Sequence, residues 1–313
     1  MPGAARVPAD RPRDWIAHLL LFVSVGIWGS TFVAMKHLLG HVTPLELVGL
    51  RFGIGLPILA AIVLARRLPL AFERRDLRPL ALGAAILLVH FLVQPLALSL
   101  RSSTATKAGW IIAFSPLWIA VLSRLVHGER LRARQAAGIA AATIGILLLV
   151  SGGKLSGLSW FQSAGDWLVF LTSFTWAAYT VATRDLARRR GALLVTLVLF
   201  VPLCLVGVGA IALAPDRARL VHLPPAAIAS LLFLAVPATL AQWFWQLGVA
   251  RLGAARAGLY VYLSPLATSA LATTLLGEPF GPATAVGGLL VLAGVFWAQG
   301  AAPAARTKVA DGG

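Results

Sequence analysis

The sequence predicts an all-α membrane protein with ten transmembrane helices, arranged as two inverted five-helix repeats (5+5). Three observations lead there. First, of 313 residues 59% are hydrophobic and only 12% charged, with a mean hydropathy of +0.85, whereas a soluble globule averages about 25% charged residues. Second, a stretch centred on Ser115-Pro116 is written twice. At a fixed offset of 149 positions, Ala105, Gly109, Ser115, Pro116, Gly128, Glu129, Gly138 and Gly145 return as Ala254, Gly258, Ser264, Pro265, Gly277, Glu278, Gly287 and Gly294. Glycines and prolines matched without a gap mark a duplicated unit, and a unit this long is no solenoid repeat. Third, arginines gather on alternate connections between the apolar runs.

Taken in order, residues 1–14 form a cytoplasmic tail carrying Arg6, Arg11 and Arg13. The apolar run that follows is too long for a signal-peptide core and lacks a small-residue cleavage site. The first repeat (15–151) holds spans at about 15–38, 43–65, 79–100, 105–126 and 133–151. Residues 152–163 make an outside linker. The second repeat (164–300) holds spans at about 164–186, 192–214, 225–250, 254–276 and 281–300, and the polar, Ala/Gly-rich residues 301–313 form a disordered cytoplasmic tail. Each run is close to the roughly 20 residues a helix needs to cross a bilayer, and Gly and Pro occur inside several. The ten-residue alternation of a β-barrel is absent.

With the N-terminus cytoplasmic, twenty of the 27 basic residues fall on inside segments and six on outside ones (Lys36, Arg101, Lys107, Lys154, Arg217, Arg219), with Arg51 inside the second span. The positive-inside rule then places both termini in the cytoplasm, and the expected location is a bacterial inner membrane. Five spans per unit is an odd number, so the second copy lies upside down relative to the first. A pseudo-two-fold axis in the membrane plane is the usual basis of alternating access around a midplane cavity. The formal charge of +16 reads as topology rather than nucleic-acid binding, because the arginines sit in short clusters between apolar runs. A lone cysteine, Cys204, leaves neither a disulfide framework nor a thiolate metal site.

Polar and aromatic residues at membrane depth supply the candidate site. Trp28, Thr31, Phe32 and Met35 share one helical face, and Trp28 lies deeper than the interfacial belt where Trp is normally enriched. Such a ring either packs against neighbouring helices or walls a cavity, where it can stack on an apolar group and attract an ammonium. His90 with Gln94, and Gln242 with Gln246, are one helical turn apart. Uncharged polar side chains at that depth face the bundle interior, either bonded between helices or turned to a bound molecule. Pro116 and Pro265 interrupt the backbone ladder beside Ser115 and Ser264, giving a fixed kink or one that bends in gating. The eleven acids lie in tails or near span ends, which argues against exchange at a deep glutamate. Glu46 and Arg51 are expected to pair in a structural network. Lys36, Arg51 and Lys107 are expected near span ends or on outer helices, which argues against an anionic metabolite.

Trp28-Gly29-Ser30-Thr31-Phe32 in the first span, Pro44 and Arg51 in the second, Ser115-Pro116 with Gly128-Glu129 in the fourth and its repeat in the ninth resemble the EamA branch of the drug/metabolite transporter superfamily over nearly the whole chain. Within that branch the chain is similar to YddG-type ten-helix exporters of aromatic and other amino acids. The resemblance implies that the first, third and fourth spans and their inverted partners line a central cavity, that His90 occupies the position of a cavity histidine, and that spans five and ten, with Gly138, Gly145, Gly287 and Gly294, can form a homodimer contact. It implies a secondary transporter exporting an amino acid with an apolar or aromatic side chain. A sugar, a cationic drug or another metabolite of the superfamily stays open.

The candidate substrate-binding set is Trp28, His90, Gln94, Trp110, Trp176, Tyr179, Gln242 and Tyr260; the candidate gating set is Ser115, Pro116, Ser264 and Pro265. Spans three, four, eight and nine are expected to rock around the cavity. No H-E-x-x-H, G-x-S-x-G or P-loop occurs, so no enzyme is expected, and no cofactor or metal. The expected partners are a small molecule and the lipid bilayer, without nucleic acid.

Overall fold

In the computed structural model, residues 14–100, 104–129, 132–150, 161, 163–277 and 280–299 are described, and among them helices and their short connections make up the whole fold. The two tails, nearly all of the linker, and Glu278 lie outside the described residues. The first repeat comprises α1 (Asp14–Leu38), α2 (Pro44–Ala65), α3 (Arg74–Ser99), α4 (Ala105–Ile112), α5 (Ser115–His127) and α6 (Ala133–Val150). The second comprises α7 (Ala164–Arg190), α8 (Ala192–Leu213), α9 (Pro225–Ala235), α10 (Pro237–Leu252), α11 (Ala254–Gly258), α12 (Ser264–Leu276) and α13 (Pro282–Gln299). Single 3-10 stretches, Arg217–His222 and Leu259–Leu263, precede α9 and join α11 to α12.

Local chemistry sets these ends. Thr43 and Glu46 close a capping box over the start of α2, and Ser163 with Asp166 does the same for α7, each satisfying orphan N–H groups of a first turn. The repeated Gly-Glu pair proves to be a helix stop: Gly128 ends α5 at φ 65° and Gly277 ends α12 at φ 66°, the left-handed cap that glycine adopts most readily. α3 begins five residues before the expected boundary, because Glu73 and Asp76 form a cap upstream and Pro79 is carried within the helix.

Three expected spans are broken rather than continuous. The fourth bends at Ala113 and Phe114 between α4 and α5, and the ninth changes to 3-10 geometry over Leu259–Leu263, in both cases just before the Ser-Pro pair. The eighth breaks at Val236 between α9 and α10, where Pro237 removes a helical donor and disfavours helical backbone in the residue before it. Among the described residues seven helical segments are long and apolar enough to cross a membrane; α6 and α13 carry shorter apolar stretches, Ala133–Leu148 and Thr284–Ala298. α7 is 27 residues long but more polar, because it carries Asp166, a set of buried Ser and Thr residues (Thr172, Ser173, Thr175, Thr180, Thr183) and a charged last turn. The chain is a multi-pass membrane protein.

Contacts between the halves obey a two-fold rule. α2 packs on α8 and α6 on α13; α3 against α7 has its mate in α1 against α10, and α5 against α7 has its mate in α1 against α12. Two close approaches make this exact in residue numbers. Gly109 faces the Thr268 side chain and Gly258 faces Ile119, and a shift of 149 converts one contact into the other. On the last helices of the two repeats, Gly138 meets Gly294 while Gly145 meets Gly287; a Cβ on Gly138 would stand 2.4 Å from the Gly294 carbonyl oxygen. Numbers that rise on one helix as they fall on the other mean that these equivalent helices run antiparallel, as an inverted repeat requires. The four glycines are therefore spent within the chain, each letting backbones approach where a side chain would hold them apart.

Ion pairs mark the two ends of the bundle. At the arginine-rich end, Asp76 accepts from Arg190 at 2.5 Å and Arg189 at 3.3 Å, and Glu129 pairs with Arg184. At the opposite end, Lys107 reaches Asp166 at 2.6 Å, Lys36 donates to the Leu98 carbonyl at 2.9 Å, and Arg219 joins Glu46 and Asp216, each at 2.7 Å. Outside the helical spans, the hydrogen bond from Arg219 holds the Asp216 carboxyl below its usual range, and that from Arg190 does the same for Glu73.

Candidate functional site

Between the two ion-pair layers lies a cavity with about 50 Å³ of room, enough for a few waters. Its wall is assembled from both repeats. α1 contributes Trp28, Thr31 and Phe32, which share one face at helical spacing; α2 contributes Arg51, and α3 contributes His90, Phe91 and Gln94. Opposite them stand Trp176 of α7, Gln242 of α10, and Val261 and Ser264 beside the break before α12.

The aromatic side is a tryptophan corner. Trp28 meets Trp176 edge-on at 4.8 Å between centroids and Trp245 at 5.2 Å, while Trp176 and Trp245 are 5.8 Å apart. One edge-to-face and two tilted ring pairs at these distances hold the corner in place, with Trp28 and Trp176 on the cavity wall. The polar side is anchored from behind. His90 is buried, and its Nδ1 lies 3.1 Å from both the Thr172 carbonyl and Thr175 Oγ1. Because a carbonyl only accepts, Nδ1 carries the proton and Nε2 is left as an acceptor in the neutral ring. Gln242 donates from Nε2 to the Tyr179 hydroxyl at 2.9 Å, while its buried Oε1 has no hydrogen-bond partner among the described residues. Gln246, one turn on, donates to Thr183 at 3.0 Å and ties α10 to α7 away from the cavity.

Of the expected binding residues, the fold thus gathers Trp28, His90, Gln94, Trp176 and Gln242 on one cavity, with Tyr179 directly behind Gln242. Two stand elsewhere. Trp110 turns away from the cavity: its Nε1 donates to Ser269 at 2.9 Å, and its ring packs in a cluster with Ile139, Ala142 and Val291 of α6 and α13. Tyr260 points toward the start of α1 and bonds His18 through its hydroxyl. The 3-10 winding before α12 turns Val261 to the cavity and its neighbour Tyr260 off it.

Of the expected gating residues, Ser264 lines the cavity, whereas Ser115 is buried with its hydroxyl donating to the Ile112 carbonyl at 2.6 Å. Pro116 and Pro265 sit at the first turns of α5 and α12, where a missing N–H is tolerated.

The expected pairing of Glu46 with Arg51 does not form, because Glu46 is held by Arg219. Nor is Arg51 peripheral. It is 3% exposed and lines the cavity, its guanidinium carbon 4.7 Å from the centroid of Phe91 and 5.2 Å from that of Phe52. Trp245, absent from the expected set, is fully buried in the tryptophan corner. Its signal in the sequence is its place three residues after Gln242, on the same helical face. Among the described residues no group of three His, Cys, Asp or Glu comes together to hold a metal.

The sequence pattern of the EamA-like transporter family matches residues 15–151 and again 163–298. An uncharacterized transporter of Archaeoglobus fulgidus is 32% identical over 89% of this chain and 96% of its own. A probable amino-acid metabolite efflux pump of Salmonella typhimurium is 28% identical over 88% of this chain and 92% of its own. A probable terminal-alkyne amino-acid exporter of Streptantibioticus cattleyicolor is 31% identical over 61% of this chain and 63% of its own. Among solved structures, one crystal structure 24% identical in sequence matches with a TM-score of 0.68 over 90% of this chain and 97% of that one, and shares the fold. Two matched units, a duplicated helical fold and two relatives that align along more than nine-tenths of their length lead to one conclusion: the chain belongs to the EamA-like transporter family.

Proposed function

We propose that this protein is a secondary transporter that exports small metabolites from the cytoplasm, foremost amino acids with apolar or aromatic side chains, with its arginine-rich end and both termini on the cytoplasmic side of a bacterial inner membrane. The observation that carries the reading is the two-sided cavity: Trp28 and Trp176, backed by buried Trp245, face His90, Gln94 and Gln242. An apolar side chain stacks on the rings, while the free acceptors at His90 Nε2 and Gln242 Oε1 suit an ammonium, which ring faces also attract. Two relatives named for amino-acid export support the same substrate class.

The cavity in this conformation is well below the roughly 300 Å³ of ordinary ligand clefts. A bound substrate therefore needs a conformation in which the helices around the cavity have parted. The paired halves allow them to part at either end, which is alternating access. The broken spans α4–α5, α9–α10 and α11–α12 are where backbone hydrogen bonding is already interrupted, and they bend at least cost.

Counterflow in proteoliposomes tests the reading. Vesicles loaded with unlabelled phenylalanine and given a trace of the labelled amino acid outside, with no ion gradient, should accumulate label transiently. Trp28→Ala and His90→Ala should each lose at least ten-fold in initial rate while reconstituting normally. An absence of accumulation at every pH tested would sink an aromatic amino acid as the substrate.

A further inference from the structure

Among the described residues Arg51 is a charge without a counter-ion. It is 3% exposed in the middle of the bundle, and among the described residues it forms no hydrogen bond and no salt bridge. Its guanidinium lies over the faces of Phe52 and Phe91. The nearest acid in sequence, Glu46, is committed to Arg219. Every other carboxylate whose side chain is described is likewise engaged at an end of the bundle: Glu73 and Asp76 with Arg190, Glu129 with Arg184, Asp166 with Lys107, Asp185 with Arg188 and Asp216 with Arg219. Among the described residues no carboxylate is left over for Arg51. A buried, unpaired guanidinium is costly, and ring faces compensate it only in part. Its position on the cavity wall offers a different compensation, an anion brought by the ligand.

We propose that Arg51 binds the carboxylate of the transported molecule, and that a carboxylate is what this carrier requires of its substrate. The inference rests on the central cavity being the transport site. A guanidinium presents two parallel N–H donors that match the two oxygens of a carboxylate, so it fixes orientation as well as charge. Among the described residues Arg51 is the only permanently charged one on the cavity wall. One positive charge suits one carboxylate better than a phosphate, whose second negative charge would stay unmatched. The geometry then sorts an amino acid along the cavity: carboxylate at Arg51 on α2, ammonium toward Gln242 on α10, side chain in the tryptophan corner.

The test is counterflow with the purified full chain in proteoliposomes, using labelled L-phenylalanine, L-phenylalaninamide, phenethylamine and 3-phenylpropionate. These share the ring and differ in carrying a carboxylate, an ammonium or both. Wild type should carry phenylalanine and reject the amide and the amine by at least ten-fold in kcat/KM. Arg51→Gln should lose most transport of phenylalanine and most of the discrimination against its amide, and Arg51→Lys should keep a fraction of both. The comparison on wild type alone stands even if a variant fails to fold. Equal transport of phenylalanine and its amide overturns the assignment of Arg51 and leaves the amino-acid reading in place. Transport of 3-phenylpropionate alone, lost in Arg51→Gln, upholds Arg51 and overturns the amino-acid reading. Transport of none of the four overturns both.

Discussion

Gly29 sits beside Trp28, where α1 crosses α12, and an alanine there tests whether the two repeats meet as closely as the structure has them. A Cβ built on Gly29 would lie 2.3 Å from the Ser264 carbonyl oxygen and 2.7 Å from Ala267 Cβ. Ordinary van der Waals contact begins near 3.4 Å, so the helices must separate locally by roughly 1 Å. Neither neighbour can yield as a flexible side chain would, since one is backbone and the other a Cβ. The separation would also stretch the 2.8 Å bond from Thr268 Oγ1 to the Gly29 carbonyl. Overpacking of this kind costs about 1–3 kcal/mol. One turn earlier on the same helix, a Cβ on Gly26 would meet nothing within 4 Å. There the same change should stabilise by up to about 1 kcal/mol through helix propensity alone. Thermal unfolding of the two purified variants in one detergent should therefore place Gly29→Ala below wild type and Gly26→Ala at or above it. Counterflow should fall in Gly29→Ala only, because the displaced helices carry Trp28 and Ser264 of the cavity wall. Equal stability of the two alanine variants would refute the α1–α12 contact as drawn.

Trp110→Phe should lower stability by about 1 kcal/mol, through loss of the bond to buried Ser269, while leaving the KM for phenylalanine within two-fold. A ten-fold rise in KM would put Trp110 back in the site. Arg219→Gln should make stability less dependent on acid. Asp216 is held below its usual range by Arg219, so the contribution it makes is whole above the ordinary carboxylate pKa of about 4 and is lost as pH falls through the lower folded value. Apparent Tm should separate wild type from variant at pH 7 and converge toward pH 3; a gap that stays constant with pH would refute that linkage.

Much of the fold could be read before any coordinates. The offset of 149 between Ser115-Pro116 and Ser264-Pro265 announced a duplicated unit, and the meeting of Gly109 with Thr268 and Gly258 with Ile119 is that offset made physical. Helix breaks next to Ser-Pro followed from the missing donor. The break at Val236 was equally available, since Pro237 follows the same rule, but an unbroken apolar run hid it. Within the site, Trp28, His90, Gln94, Trp176 and Gln242 were legible because polar or bulky aromatic groups at membrane depth have few stable places other than the interior. Trp110 and Tyr260 met the same rule and went elsewhere: the interior has several compartments, and periodicity names a helix face without naming the neighbour it meets.

Arg51 shows the division most sharply. Its sequence neighbourhood offers Glu46 five residues earlier as an obvious partner, but Arg219, 173 positions away from Glu46, reaches that carboxylate first. Composition, periodicity and repeat by themselves determined a membrane-spanning, duplicated, inverted helical bundle, because those properties depend on distances along the chain. Which buried groups satisfy one another, and which single charge is left facing the cavity, only the tertiary structure decided. Pairing at bilayer depth is a competition among residues far apart in sequence, and it is resolved by packing.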